Sequence, residues 1–253
     1  MAAFPIETHR FTAGDCVELA WHELGEGRAL VLLHGYFSDA DTNWIRFGHA
    51  ALIAARGFRV IMPDLRAHGD SAKPHARAAY PPDILAHDGL ALIAHLGLGD
   101  YDLGGYSLGA RTVVRMLGAG ATPRRVIISG MGLSGLTDTG TRAAHFRRIL
   151  TGLGSFAKGT PEWFAEAFLK TTGGDPIALL ALLDSFVDTP QAAIAEIAQP
   201  ALVLAGAEDH DNGSHADLAA LLPHATYMET PGNHMSVVTK APFGQAIADF
   251  LDG

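Results

Sequence analysis

The sequence predicts an α/β fold with a mostly parallel central sheet flanked by helices. Three observations predict it. Apolar runs such as Ala29–Leu33 and Ala201–Ala205 lack polar alternation, the pattern of strands covered on both faces. These runs alternate with helical stretches along most of the chain, as crossover helices between parallel strands require. One further run, beginning at Tyr101, leads into Gly105–Tyr106–Ser107–Leu108–Gly109 and then into a helix.

Taken in order, Cys16–His22 alternates in part and reads as a strand near the sheet edge, with Cys16 a small buried hydrophobe. Gly25–Glu26–Gly27 forms a turn, and Ala29–Leu33 is a strand ending in His34–Gly35–Tyr36–Phe37. Asn43–Arg56 reads as a helix, with Trp44, Phe47, Ala51 and Ala54 available for one face and Gly57 stopping it. Phe58–Met62 is the next strand and runs into Pro63–Asp64–Leu65–Arg66–Ala67–His68–Gly69–Asp70–Ser71. Pro81–Pro82 opens a helix through Leu96. After the Ser107 segment come strands at Arg125–Gly130, Ala201–Ala205 and Ala225–Thr230, and a last helix at Pro242–Leu251. Ser214–His215–Ala216–Asp217 resembles a capping box before a short helix.

Residues 133–199 break the alternation. They are helical in pattern, interrupted at Gly152–Gly154, Gly173–Gly174 and Thr189–Pro190, and separate two strands that should be neighbours. The segment reads as an insertion over one end of the sheet, leaving residues 1–132 and 200–253 as the core.

Composition narrows the function classes. The chain has 253 residues, 48% of them hydrophobic, and a formal net charge of −9 with no basic stripe. Nucleic acid and anionic membrane are therefore poor partners, and a small-molecule substrate is expected of a monomer or homodimer. The single cysteine excludes an internal disulfide. Met1–Glu7 shows no basic segment followed by an apolar run, so a cytoplasmic location is expected. The 13 histidines, including His210, His215 and His224, lack the spacing of a metal site and read as surface residues. No cofactor is expected.

The pentapeptide at 105–109 fits G-x-S-x-G, a nucleophile elbow. A serine on a sharp strand-to-helix turn needs small neighbours, because the chain on either side passes close. Its oxygen then projects above the sheet, beside the free Leu108 amide at a helix N-terminus. A serine hydroxyl needs a base, and the base needs a carboxylate to fix its tautomer. Downstream strand ends supply candidates in the order Ser…Asp…His: Gly206–Ala207–Glu208–Asp209–His210–Asp211, then Pro231–Gly232–Asn233–His234. Asp209 and His234 are the choices, with Asp211 the competing acid and Glu208 behind it.

With these residues the chain resembles the α/β-hydrolase fold superfamily over essentially its whole length. The resemblance rests on the serine pentapeptide, His34–Gly35, Asp64–Ser71, Gly206–Asp209 and Gly232–His234. It implies a helical cap at 133–199 and a triad of Ser107, Asp209 and His234. The second oxyanion amide would come from Tyr36, partnering Leu108. His34, Asp64, Arg66 and His68 would be structural. Tyr36, Phe37, Tyr106, Leu108 and cap aromatics such as Phe146 and Trp163 are expected to line the pocket.

The expected activity is hydrolysis of a small, largely apolar ester, thioester or lactone through an acyl-enzyme. Carbon–carbon hydrolysis of a β-diketone-like compound uses the same triad, and perhydrolysis is a side reaction of the same serine. A weakly catalytic ligand-binding protein is the reading from another class. Dehalogenases and epoxide hydrolases of this fold carry an aspartate where Ser107 stands.

Overall fold

The computed structural model describes residues 5–253. Met1–Phe4, on which part of the N-terminal reading rests, lie outside the described residues. Eight strands form one sheet: β1 (Glu7–Thr12), β2 (Glu18–Leu24), β3 (Arg28–Leu33), β4 (Phe58–Pro63), β5 (Tyr101–Tyr106), β6 (Val126–Ser129), β7 (Ala201–Gly206) and β8 (Ala225–Thr230). Their order in space is β1-β2-β4-β3-β5-β6-β7-β8. β1 and β2 pair antiparallel, β2 lies antiparallel to β4, and every later pairing is parallel.

Strand periodicity divides the core into two layers. Val31, Leu33, Leu103, Val126, Ile128 and Val203 pack on one face, together with helices α2 (Ile84–His95), α3 (Leu108–Gly118) and α9 (His215–Leu221). Leu30, Leu32, Ile127, Leu202 and Leu204 point the other way, onto α1 (His49–Ala54) and α10 (Ala241–Asp252). Burying both faces explains why these strands read as unbroken apolar runs. Between β6 and β7 the chain is helical: α4 (Leu133–Thr137), α5 (Thr139–Thr151), α6 (Pro161–Thr171), α7 (Pro176–Leu182), a 3₁₀ turn at Leu183–Ser185 and α8 (Gln191–Ala195). Ser214 caps α9 as expected, its hydroxyl accepting from the Asp217 amide at 3.0 Å.

Three expectations are corrected. Strand β1 was not anticipated, and Cys16 lies in the turn that joins it to β2. Cys16 is exposed, with φ 68°, because the tight turn closed by Ala13 N–H to Val17 O at 2.8 Å needs a left-handed residue there. The helix expected over Asn43–Arg56 is split into a π turn, Asp41–Ile45, and α1; Gly48, with φ 80°, redirects the chain between them. Phe47 is accordingly exposed, while Trp44 is fully buried. The helix expected from Pro81 starts at Ile84, after Asp83 turns the chain with φ 60°.

The turn after β4 ties loops together. Arg66 is fully buried, paired with Asp88 at 2.8 Å and Asp15 at 2.6 Å. Asp64 accepts from the Ala40 amide at 2.9 Å, the Asp70 amide at 2.7 Å and His22 at 3.1 Å. Burial works against the Asp64 carboxylate, but these donors hold its pKa far below the usual range.

His68 carries a pH-dependent part of the stability. Burial and the neighbouring His34 push its pKa down to about 3. The unfolded chain therefore takes up a proton near pH 6.5 that the folded protein refuses until about pH 3. Stability from this group is intact above pH 6.5 and falls by about 1.4 kcal/mol per pH unit below it. Urea unfolding of His68→Gln and the parent at pH 7 and pH 5 should show the parent losing about 2 kcal/mol more over that interval. Equal losses would contradict this.

Candidate active site

The elbow follows from crowding. A Cβ on Gly105 would sit 2.3 Å from the Gly109 carbonyl carbon, and one on Gly109 would sit 2.2 Å from the Leu33 carbonyl oxygen. Only glycine lets β5 turn into α3 against β3. Ser107 pivots there with φ 53° and ψ −111°, a strained conformation for a residue with a side chain. Gly109→Ala should cost about 3 kcal/mol of stability, the upper end of what overpacking typically costs, since backbone is what the methyl meets. An unchanged urea midpoint would refute that reading of the elbow.

The other two triad candidates arrive from loops after β7 and β8. His234 Nδ1–H donates to Asp209 Oδ2 at 2.8 Å. That leaves His234 Nε2 free to accept from the Ser107 hydroxyl, 3.0 Å away. Burial would raise the Asp209 carboxyl, but the hydrogen bond and charge of His234 and the Asp211 amide hold it below its ordinary value. All three side chains are at most 9% exposed. Asp209 and its two sequence competitors, Asp211 and Glu208, have different surroundings. Asp211 pairs with Arg142 at 3.2 Å, and only its backbone amide serves Asp209, at 3.1 Å. Glu208 is exposed.

Leu108 is the first residue of α3, so its amide has no intrahelical acceptor. The Tyr36 amide likewise takes no acceptor among the described residues. Its loop is fixed from below: the Gly35 amide donates to Asn43 Oδ1 at 2.7 Å. His34 Nε2 accepts from the Leu65 amide at 2.9 Å, so its proton sits on Nδ1 and goes to the Gly35 carbonyl at 2.8 Å. Burial lowers the His34 pKa, in keeping with this neutral tautomer. Asn43 was not singled out in the sequence, where it read as the first residue of a helix.

A cavity of about 530 Å³ opens on Ser107 and His234. Tyr36, Phe37, Tyr106 and Phe146 line it, whereas Leu108 borders two smaller voids instead. Trp163 does not line it. One residue along α6, Phe164 takes that place, with Trp163 packed edge-on to it at 5.1 Å. A single helical step turns a side chain by about 100°, which decides between the two. The inserted helices are tied to the Tyr36 loop directly. Tyr36 OH donates to the Leu179 carbonyl at 2.8 Å, and Thr172 OH donates to the Phe37 carbonyl at 2.7 Å. Tyr106 OH donates to the His234 carbonyl, bracing the histidine loop.

One histidine expectation changes. His210 and His224 are exposed, but His215 is buried, its Nε2 3.8 Å from Asp209 Oδ2. Sequence spacing gave no metal-ligand pattern, yet Glu7, His9 and Glu23 converge on the β1–β2 hairpin, and His22, Asp64 and Asp70 behind it. Glu23 is paired with Arg59 at 2.6 Å, and Asp64 is committed to backbone amides, so both groups are accounted for as ion-pair and hydrogen-bond clusters.

The Alpha/beta hydrolase family model matches residues 30–248. The chain belongs to that family. A non-heme haloperoxidase of Rhodococcus erythropolis is 34% identical over 123 residues, 47% of this chain and 43% of that protein. An epoxide hydrolase of Siraitia grosvenorii is 32% identical over 88 residues, 34% of this chain and 27% of that protein. The chain thus matches well under half the length of these curated relatives. Among solved structures of the same fold, a thermophilic esterase from Thermogutta terrifontis has a TM-score of 0.79 at 21% identity, over 97% of this chain and 98% of that one. The enol-lactonase from Burkholderia xenovorans LB400 has a TM-score of 0.76 at 22% identity, over 97% and 100%. Among the described residues, no helix is long and apolar enough to cross a membrane.

Proposed function

We propose that this family member is a serine hydrolase cleaving a small carboxylic ester, thioester or lactone through an acyl-enzyme on Ser107. One observation carries the reading: the Ser107–His234–Asp209 relay, at 3.0 and 2.8 Å, opens into a largely apolar cavity. His234 Nε2 takes the hydroxyl proton as Ser107 Oγ bonds to the substrate carbonyl carbon. The Tyr36 and Leu108 amides receive the oxyanion. His234 then gives its proton to the departing oxygen or sulfur as that bond breaks. Water, deprotonated by His234, releases the acid and restores Ser107, with Asp209 holding the imidazole throughout. The helices between β6 and β7 act as a cap that shapes the acyl pocket.

Acid-quenched intact mass during turnover of 4-nitrophenyl butanoate tests this. A butanoyl adduct mapping to Ser107 is the expected result. Absence of both adduct and turnover across an ester and thioester panel, with a β-diketone cleaved instead, would replace ester hydrolysis by carbon–carbon hydrolysis.

A further inference from the structure

The first turn of α3 holds a cation that the triad does not use. The Arg111 amide donates to the Ser107 carbonyl at 3.0 Å, so both residues belong to one helical turn. Arg111 is 4% exposed. Its Nε–H donates to the Gly135 carbonyl at 3.1 Å, and its guanidinium lies 4.8 Å above the Phe186 ring. Four further N–H donors remain on that group. No carboxylate pairs with it among the described residues. Two neighbouring acids are committed elsewhere: Asp83 to Arg115 at 2.5 Å, and Asp188 to the Thr139 amide at 2.7 Å. Asp188 favours the cation only at a distance, and a buried charge without a directly paired carboxylate is costly to fold around, which calls for a reason. Burial and nearby Arg142 lower the Arg111 pKa to about 10, so it remains charged at neutral pH.

Arg111 borders two small voids. One, of about 20 Å³, lies towards Leu85, Thr112 and Ser185. The other, of about 10 Å³, is bounded by Arg111, Ser107, Tyr36, Phe146 and Arg142 and supplies the reason. Arg142 also lines the main cavity. Its partner Asp211 has a side chain 46% exposed, so that ion pair is weak and exchangeable. Two guanidinium groups, one buried and unpaired, thus flank the nucleophile on the same side. An anion between them would satisfy the free donors and relieve their mutual repulsion. The void has the size of one water, so a carboxylate enters it only as Arg142 swings off Asp211.

We propose that Arg111 and Arg142 form an anion subsite beside Ser107, and that the acyl group of the natural substrate carries a carboxylate. The substrate class is a half-ester, half-thioester or carboxylated lactone of a short dicarboxylic acid. This rests on the serine-hydrolase reading above and adds the charge of the acyl group to it.

The test compares monoethyl esters of succinic, glutaric and adipic acid with the matching half-amides, which keep length and shape but lack charge. At least one acid should exceed its amide in kcat/KM by about tenfold or more, the scale of a charge-assisted hydrogen-bonded pair. That ratio should fall towards one in Arg142→Gln and in Arg111→Gln, and Arg111→Lys should keep part of it. If Arg111→Gln does not fold, the parent ratio and Arg142→Gln decide. Equal rates on acid and amide at all three lengths would overturn the subsite while leaving the serine mechanism intact, as would a preference that survives in Arg142→Gln and folded Arg111→Gln. No turnover of either series, with Ser107 unlabelled by a fluorophosphonate, would overturn the serine mechanism and the subsite with it.

Discussion

Replacing Ser107 with alanine should lower kcat for ester hydrolysis by about a million-fold, the scale seen when one member of a cooperating triad is removed. The size follows from the geometry. Among the described residues, Ser107 carries the one hydroxyl hydrogen-bonded to the His234 ring: Nε2 faces Ser107 Oγ at 3.0 Å, and Nδ1 is committed to Asp209. The Tyr36 and Leu108 amides proposed to receive the oxyanion remain, so a small residual rate above the uncatalysed one should persist. Stability should change little, because alanine keeps the strained turn and removes no core contact. Steady-state hydrolysis of 4-nitrophenyl butanoate checks this, and retention of even a tenth of the parent rate would end the proposed mechanism.

Asp209→Asn should cost about ten-thousand-fold in kcat, because an amide in that place favours the wrong imidazole tautomer and offers no charge to the imidazolium. Asp211→Asn should cost far less on a neutral ester. Its carboxylate touches Arg142, and its service to the triad is a backbone amide that the substitution preserves. Comparable losses in the two variants would mean that the acid has been assigned to the wrong aspartate. A loss confined to Asp211→Asn would invert the assignment.

The parts of the site legible in the sequence are those imposed by the backbone. Gly105 and Gly109 are readable because any side chain there meets main-chain atoms, and Ser107 is readable because it stands between them. His234 and the Asp209 loop are readable as segments that follow strands on the same sheet edge. Choosing Asp209 over Asp211 needed the directions of two side chains two residues apart, which spacing does not contain. Phe164 in place of Trp163 is the same problem on a helix. Arg111 reads in sequence as an ordinary basic residue on a helix, and only the folding of α4 and the Phe186 segment over it makes it a buried cation. His215 reads as a capping-box residue at the surface and is buried because α9 packs against the triad loop. Gly48 was visible as a residue, but its left-handed φ, which splits the helix around it, was not.

The central claim is that Ser107 is an activated nucleophile. Intact-mass analysis after treatment with a fluorophosphonate, followed by peptide mapping, tests it most directly. A single adduct on Ser107, absent in His234→Ala, is the predicted result. An unlabelled Ser107 in the folded protein, or equal labelling in His234→Ala, would contradict it.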